Sequence, residues 1–164
     1  MSSPRQSDAP SDDEKVGVEA WAALLRAHAA VVRIMEREVE AATGLPLSWY
    51  DVLLELNSVD RRRLRMQALS SRVVLSRTRV SRVVDEMERA GLVQRVPDPA
   101  DGRATLAAIT DRGRRRLRKA SPVYLDAIAE HFTRHLTRGQ LRAMREGLDQ
   151  LLAAHSSSSD LGDA

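Results

Sequence analysis

The hydrophobic positions of the chain follow a helical period over most of its length. Between Val16 and Ala42, apolar residues recur at three- and four-residue spacing, which predicts one long helix that ends at Gly44. The same period predicts a second helix that starts at Ser48, where Asp51 completes a near capping box. A short third helix is predicted from about Met66 to Val73.

The next helical segment, Ser76 to Ala90, is apolar on one side and polar on the other. Val80, Val83 and Val84 begin a stripe that predicts a buried face. Hydroxyl and guanidinium groups, which contact phosphates and base edges in DNA complexes, cluster near its N-terminus. These candidate DNA contacts are Ser76, Arg77, Thr78, Arg79, Ser81 and Arg82, and Ser70 joins them from the preceding helix. A solvated amphipathic helix is the alternative interpretation.

The period changes after Gly91, which is a typical left-handed helix stop. Two β-prone runs, Leu92–Val96 and Thr105–Ile109, flank the sequence PDPADGR, and this order predicts a β-hairpin. Arg103 lies just past the turn, where a basic side chain suits the negative potential of a narrow minor groove. We expect Asp101 to brace the hairpin by pairing with Arg103. The basic helix and hairpin together predict a DNA-binding winged helix.

Two more helices follow the hairpin. Thr110 caps the first, which is predicted from Asp111 to about His135, and a capping box of Thr137 with Gln140 begins the second, which ends near His155. The first helix and these last two carry more apolar surface than one small winged-helix core can cover. This excess predicts a dimer interface.

Composition fits one soluble domain of 164 residues, with 43% hydrophobic and 30% charged residues and no cysteine. Disulfides and thiol chemistry are therefore excluded. Polar segments at residues 1–14 and 156–164 are expected to be disordered tails around a single domain of residues 15–155. Because no apolar signal region or membrane-spanning run is evident, we expect a cytoplasmic protein.

The charges are distributed unevenly along the chain. Residues 61–119 contain 17 Lys and Arg against 6 Asp and Glu, a net charge of +11, whereas the whole chain carries only +3. The remaining residues therefore carry −8. A cationic segment between acidic flanks is the electrostatic pattern of a protein that binds a polyanion.

The central block resembles the MarR family of winged helix-turn-helix regulators. The family's wing pattern is GLV-x-R followed by D-x-R and a hydrophobic residue before Thr. Here that pattern falls on Gly91, Leu92, Val93, Arg95, Asp101, Arg103, Leu106 and Thr110. Ile109 stands where the family often has Leu. The resemblance covers roughly Trp21 to Leu152, and its outer helices match only in pattern.

The resemblance implies a mainly α fold with a small β-hairpin wing. The winged helix-turn-helix lobe would span about 48–110, and a helical dimerisation lobe would be built from helices at about 16–43 and 111–154. It also implies a symmetric homodimer with interlocked terminal helices. A small-molecule pocket would lie between the first two helices, the helix after the wing and the DNA-binding lobe. Its candidate lining residues are Trp21, His28, Trp49, Tyr50 and Leu53; core or interface packing is the alternative for the aromatic ones.

These patterns predict a sequence-specific DNA-binding transcriptional regulator, a dimeric repressor on a pseudo-palindromic operator that a small aromatic or phenolic effector releases. A non-specific architectural DNA-binding protein without an effector is one alternative. An enzyme or protein-interaction module, with the basic block as a solvated face, is the other. We predict no enzyme activity and no cofactor, because no catalytic triad or nucleotide-binding motif is present. His131 and His135 have helical metal spacing, but no third ligand is evident, so no metal site is predicted.

Overall fold

The computed structural model describes residues 11–73 and 75–156, without the side chains of residues 77, 102, 103 and 156. Within those residues the chain forms six α-helices around a three-stranded antiparallel sheet. The helices are α1 (Asp12–Thr43), α2 (Leu47–Ser58), α3 (Met66–Arg72), α4 (Arg77–Arg89), α5 (Asp111–His131) and α6 (Arg138–Ser156). The strands are β1 (Arg63–Arg65), β2 (Val93–Asp98) and β3 (Asp101–Ile109). None of the described helices is both long and apolar enough to cross a bilayer.

Helix α1 begins earlier than the hydrophobic pattern predicts. Ser11 and Glu14 form a reciprocal capping box, so the helix starts at Asp12 and includes residues assigned above to a disordered tail. The tail residues 1–10 and 157–164 lie outside the described residues. The helix ends at Gly44 as predicted, in the left-handed conformation with φ 63°.

Helix α2 does not use the predicted capping box. It begins at Leu47 after Pro46, with no side chain bonded to its first N–H groups. Asp51 is half-buried instead of capping the helix, because it lies beside α1 and α5. The prediction at Ser48 was therefore wrong in its chemistry, although it placed the helix start within one residue.

The sheet contains a strand that the pattern did not predict. The strand order is β1-β3-β2, and the short β1 pairs with β3 from Arg63 opposite Ala108 to Arg65 opposite Leu106. A 3₁₀ turn, Asp60–Arg62, leads into this strand. The hairpin strands also run closer to the turn than predicted, since β2 reaches Asp98 and β3 begins at Asp101.

One hydrophobic core joins α2, α3, α4, the sheet and the first half of α5. Leu53, Leu56 and Leu69 are fully buried in it, and Tyr50 packs on Tyr124 of α5 with ring centroids 4.4 Å apart. A second, smaller cluster joins the C-terminal half of α1 to α5. The N-terminal half of α1 lies outside both clusters.

Two predicted helix starts near the C-terminus are confirmed. Thr110 caps α5 by accepting from the backbone N–H of Gly113, and its hydroxyl also donates to the carbonyls of Gly91 and Leu92. Thr137 and Gln140 make the predicted capping box before α6. Helix α5, however, ends at His131, and a separate 3₁₀ turn holds Thr133–His135.

Candidate nucleic-acid interface

Helix α4 has one buried face and one exposed face. Ser76 caps it by accepting a hydrogen bond from the backbone N–H of Arg79 at 3.4 Å. The predicted buried stripe is confirmed, because Val80, Val84 and Met87 are fully buried. Thr78, Arg79, Ser81 and Arg82 are exposed. Gly91 ends the segment with φ 70°, as a left-handed stop should.

The exposed side chains of α4 border two grooves. The first, called here the outer groove of α4, has a volume of about 600 Å³ and lies along α4 beside Ser48 of α2. Its lining on α4 includes Ser76, Thr78, Arg79, Arg82 and Glu86. The second, of about 400 Å³, lies between α3 and α4, where Ser70 and Ser81 face each other. Ser70 also donates to the carbonyl of Met66, which leaves its oxygen as an acceptor. No acidic side chain in the described parts of the chain forms an ion pair with Arg79 or Arg82.

Arg95 ties the hairpin to α4. Its guanidinium lies 2.6 Å from the carboxylate of Asp85 and 2.7 Å from that of Glu88, and its backbone N–H donates to Glu88 at 2.9 Å. The backbone N–H and then the side chain of Arg95 lower the pKa of Glu88. Asp85 and Glu88 lie three residues apart on one face of α4. Because both bind Arg95 of β2, these contacts fix the angle between α4 and the hairpin.

Asp98 ties the hairpin to β1. Its buried carboxylate accepts from the backbone N–H of Ala100 at 2.9 Å and from the guanidinium of Arg65 at 2.6–2.7 Å. The N–H of Ala100, followed by Arg65, holds the pKa of Asp98 below its usual range. The pair of Asp98 with Arg65 therefore braces the hairpin against β1.

The structure describes only part of the surroundings of three predicted site residues, Arg77, Asp101 and Arg103. The side chains of Arg77 and Arg103 lie outside those described, so their predicted DNA contacts stay predictions. The predicted pair of Asp101 with Arg103 likewise falls outside the described contacts. Asp101 is exposed at the start of β3 and does have an interaction partner.

Neither the contact of Arg95 with Asp85 and Glu88 nor the Asp98–Arg65 brace was predicted from the sequence. Arg95 and Asp98 were noted only as parts of a family pattern and of the hairpin loop. Asp85 and Glu88 share a helix face that a β-strand Arg after Gly91 can reach, and this spacing was a usable signal. No signal of that kind existed for Arg65, because its strand was not predicted.

Comparison with known proteins identifies the winged-helix lobe. Residues 43–104 match the model of the MarR family, and this range holds α2, α3, α4, β2 and the first residues of β3. The winged-helix lobe is thus similar to the MarR family. A relative from Bacillus subtilis, the uncharacterized HTH-type transcriptional regulator YkoM, is 36% identical over 69 residues, which is 42% of this chain and 45% of that protein. The chain thus spans less than half the length of this curated relative.

Solved MarR structures extend the similarity to the outer helices. Sco3205, a MarR family transcriptional regulator from Streptomyces coelicolor solved in complex with DNA, is 27% identical with a TM-score of 0.78, covering 89% of this chain and 93% of that one. AbsC, a MarR regulator from the same organism, is 26% identical with a TM-score of 0.79, covering 93% and 99%. These relatives are transcriptional regulators and not enzymes, and they confirm the predicted fold class.

The predicted effector residues border different regions of the described structure. Trp21 borders an apolar groove between α1 and α6, whereas Tyr50 and Leu53 are buried in the core. Trp49 packs against that core. Of the five, only His28 borders a separate cavity between α1, α2, α4 and α5. The prediction combined residues from different regions, because helical spacing alone does not show which neighbour each face meets.

That cavity, called here the inter-lobe cavity, has a volume of about 320 Å³. It mixes apolar walls with ionisable groups and is bordered by His28, Val32, Glu36, Leu47, Ser48, Asp51, Leu75, Arg79 and Tyr124. Burial, with a contribution from Glu55, raises the pKa of Asp51 to about 6. Burial and then the charge of Asp51 raise the pKa of Tyr124. A cavity of this size suits a single-ring ligand with polar substituents.

The two histidines predicted to have metal spacing are separated by the end of α5. His131 Nε2 lies 2.7 Å from a carboxylate oxygen of Glu38, which links α5 to α1, while His135 belongs to the following 3₁₀ turn. The residues with described positions contain no group of three or more metal-ligating side chains.

Proposed function

We propose that the protein is a sequence-specific DNA-binding transcriptional regulator that acts as a dimeric repressor. In this proposal α4 enters the major groove, where Arg79 and Arg82 contact base edges and Ser76 and Thr78 contact phosphates. Arg77, Ser70 and Ser81 add contacts beside it. Arg103, at the hairpin, enters the adjacent minor groove.

The exposed N-terminal face of α4 carries this proposal. Arg79 and Arg82 are exposed on one helix side without an acidic partner in the described chain, while nearby Arg65 and Arg95 are both paired. Unpaired guanidiniums beside a hydroxyl-rich helix start are suited to a polyanion. The similarity to Sco3205, which was solved with DNA, supports duplex DNA as that polyanion.

A homodimer is part of the proposal. Val18, Trp21 and Leu25 are 67%, 60% and 50% exposed on α1, and Leu151 and Leu152 are exposed on α6. These residues border or flank an almost wholly apolar groove of about 610 Å³ between the two helices. An apolar surface of this extent is typical of an interface. A second copy bound there would give two α4 helices for two half-sites of a pseudo-palindrome, about one helical turn apart.

A small aromatic or phenolic effector completes the proposal. The inter-lobe cavity is its site, because Arg79 borders both this cavity and the outer groove of α4. A ligand there would contact Arg79, a side chain that also contacts DNA in this proposal. If the ligand binds the DNA-free protein more tightly than the DNA-bound protein, it lowers the affinity for DNA. Tyr124 and the apolar Val32, Leu47 and Leu75 supply the walls for a ring.

Selection of bound duplexes from a random pool tests the proposal. We expect an inverted repeat to be recovered, and candidate aromatic acids to reduce the recovered fraction. Recovery of DNA without a motif would support an architectural protein, and no binding even in low salt would refute DNA recognition altogether.

Variants assign the contacts. Arg82→Ala should cost about 1–3 kcal/mol of DNA-binding free energy and relax the preference at one base position. If Arg82 contacts a phosphate instead, the variant should lose affinity equally for all sequences.

Arg103→Ala should weaken DNA binding and reduce the slope of log affinity against log salt by about 0.9, the contribution of one phosphate contact. Unchanged affinity and salt dependence in this variant would contradict the wing assignment.

A further inference from the structure

The turn between α2 and β1 ends in two arginines with an unusual backbone conformation, and a third arginine, Arg63, begins β1. Arg61 and Arg62 have φ values of 60° and 53°, which is the left-handed region that L side chains rarely adopt. Both residues are exposed, and Arg63 beside them is half-buried. No ion pair of the described side chains includes any of the three.

This conformation is a reason to look for a role beyond folding. Glycine and asparagine fit left-handed positions with least strain, yet the chain places two long cationic side chains there. Backbone strain of this kind concentrates at binding sites, and an observed outlier is a valid starting point for a functional hypothesis. The core does not need either side chain, since both are exposed.

The turn lies beside the tip of the hairpin. Asp60, Arg61 and Arg63 form one side of a shallow depression of about 230 Å³, and Asp98, Pro99 and Ala100 of the hairpin turn form the other. Two carboxylates border this depression, Asp60 and Asp98. Asp98 is bonded to Arg65 and the backbone of Ala100, and neither carboxylate forms an ion pair with Arg61, Arg62 or Arg63 among the described contacts. The arginines at the turn therefore keep their positive charge for an external partner.

We propose that Arg61 and Arg62, supported by Arg63, bind DNA phosphates next to the groove that the hairpin enters. This site rests on the proposed DNA-binding function and extends the contacted duplex beyond α4 and the hairpin. Because phosphates are the same at every base pair, the site adds affinity and salt dependence without sequence preference. It also holds the hairpin tip against the duplex, since the depression joins both elements.

The test uses a double variant that respects the backbone. Arg61→Asn combined with Arg62→Asn removes two charges and keeps a residue type that tolerates the left-handed region. The matched control is Arg142→Asn with Arg145→Asn, which removes two exposed charges from α6, far along the chain from the hairpin. Thermal unfolding monitored by circular dichroism verifies that each variant folds.

The measurement is duplex affinity of the full chain over a range of salt concentrations, with a duplex recovered by selection. For the turn variant we expect lower affinity and a salt slope reduced by about 1.8 per protomer, since each phosphate contact contributes about 0.9. Base preference should not change. Arg61→Lys with Arg62→Lys should restore most of the slope, because it retains both charges.

Two results would overturn the site. The turn variant could keep the wild-type affinity and slope, or the α6 control could lose as much as the turn variant, which would indicate a net-charge effect. If the proposed DNA-binding function itself is wrong, the result is different, because the wild-type chain would then bind no duplex even in low salt.

Discussion

At the scale of single residues, the carboxyl of Asp51 makes the stability of the fold depend on pH. Its carboxyl borders the inter-lobe cavity together with Arg79, and burial raises its pKa to about 6 from an ordinary value of 3.8. Between those two pH values the folded chain keeps a proton that the unfolded chain has lost. The free energy of unfolding that this group contributes is therefore present below pH 4 and lost as the pH rises to about 6.

Asp51→Asn should remove this loss. We expect the variant to be more stable than the wild type by about 1–2 kcal/mol at pH 7 and equally stable near pH 4. The estimate at pH 7 takes the pKa shift of Asp51 and reduces its free-energy equivalent, because the side chain is partly exposed to solvent. Urea denaturation at several pH values between 4 and 8 measures the difference. Asp126→Asn, at an exposed position of α5, is the control. A difference between Asp51→Asn and wild type that does not vary with pH would disprove the assignment.

The sequence could predict residue roles that depend on near neighbours. The cap at Ser76, the stripe of Val80, Val84 and Met87, and the stop at Gly91 all follow from spacings within one helix. The role of Asp51 could not be predicted, because its burial depends on α1 and α5. A local capping box was the best interpretation of its spacing from Ser48, and the tertiary contacts override it.

At the scale of elements, α5 packs closely against the base of the hairpin at Gly113. A Cβ atom built on Gly113 would lie 2.2 Å from the carbonyl oxygen of Leu92, 2.9 Å from Ile109 Cγ1 and 3.1 Å from Leu53 Cδ2. The first of these is backbone, so the clash can be relieved only by moving the helix away from the sheet. The hydroxyl of Thr110, bonded to the carbonyls of Gly91 and Leu92, holds the same junction together.

Gly113→Ala should therefore destabilise the fold by about 3 kcal/mol, the upper part of the range for overpacked sites. Gly139→Ala on α6 is a matched control, since nothing lies within 4 Å of its added Cβ. The control should leave stability unchanged or raise it, by up to about 1 kcal/mol, because alanine favours helices. Chemical denaturation followed by far-ultraviolet circular dichroism gives both values. Equal stability of the two variants would contradict the close packing described for α5.

Elements that depend on pairing across the chain were the ones that the sequence did not predict. Strand β1 has three residues, too few for an alternating pattern, and exists because it pairs with β3 some forty residues later. Its absence from the prediction also concealed the Arg65–Asp98 brace. The six helices, by contrast, have apolar periods that can be read within each segment, so their existence was predicted and only their ends moved.

At the scale of the whole molecule, the two ends of α1 have different surroundings. Met35 and Val39 are buried against α5, whereas Val18, Trp21 and Leu25 are more than half or half exposed on the same apolar stripe. Long stripes of this kind are buried in stable proteins, and a single copy of the chain leaves this one largely uncovered. The sequence pattern predicts an interface here, and that interface stays a prediction, because the periodicity of one chain does not show which surface covers it.

If a second copy covers this surface, Trp21→Glu with Leu25→Glu should separate the dimer without unfolding the chain. Both side chains are already exposed in the single chain, so the charges harm only the interface. Sedimentation equilibrium should give a wild-type mass of twice 18.2 kDa and a variant mass of one chain. Leu54→Glu, at an exposed leucine of α2, should remain dimeric.

The same variants connect the interface to DNA recognition. A monomer meets one half-site at a time, so the double variant should lose affinity for a complete inverted repeat far more than for an isolated half-site. Leu54→Glu should retain the wild-type ratio between the two duplexes. A wild-type chain that is monomeric at all concentrations, or a double variant that binds the complete repeat with full affinity, would show that the exposed stripe of α1 does not set the spacing of the two α4 helices.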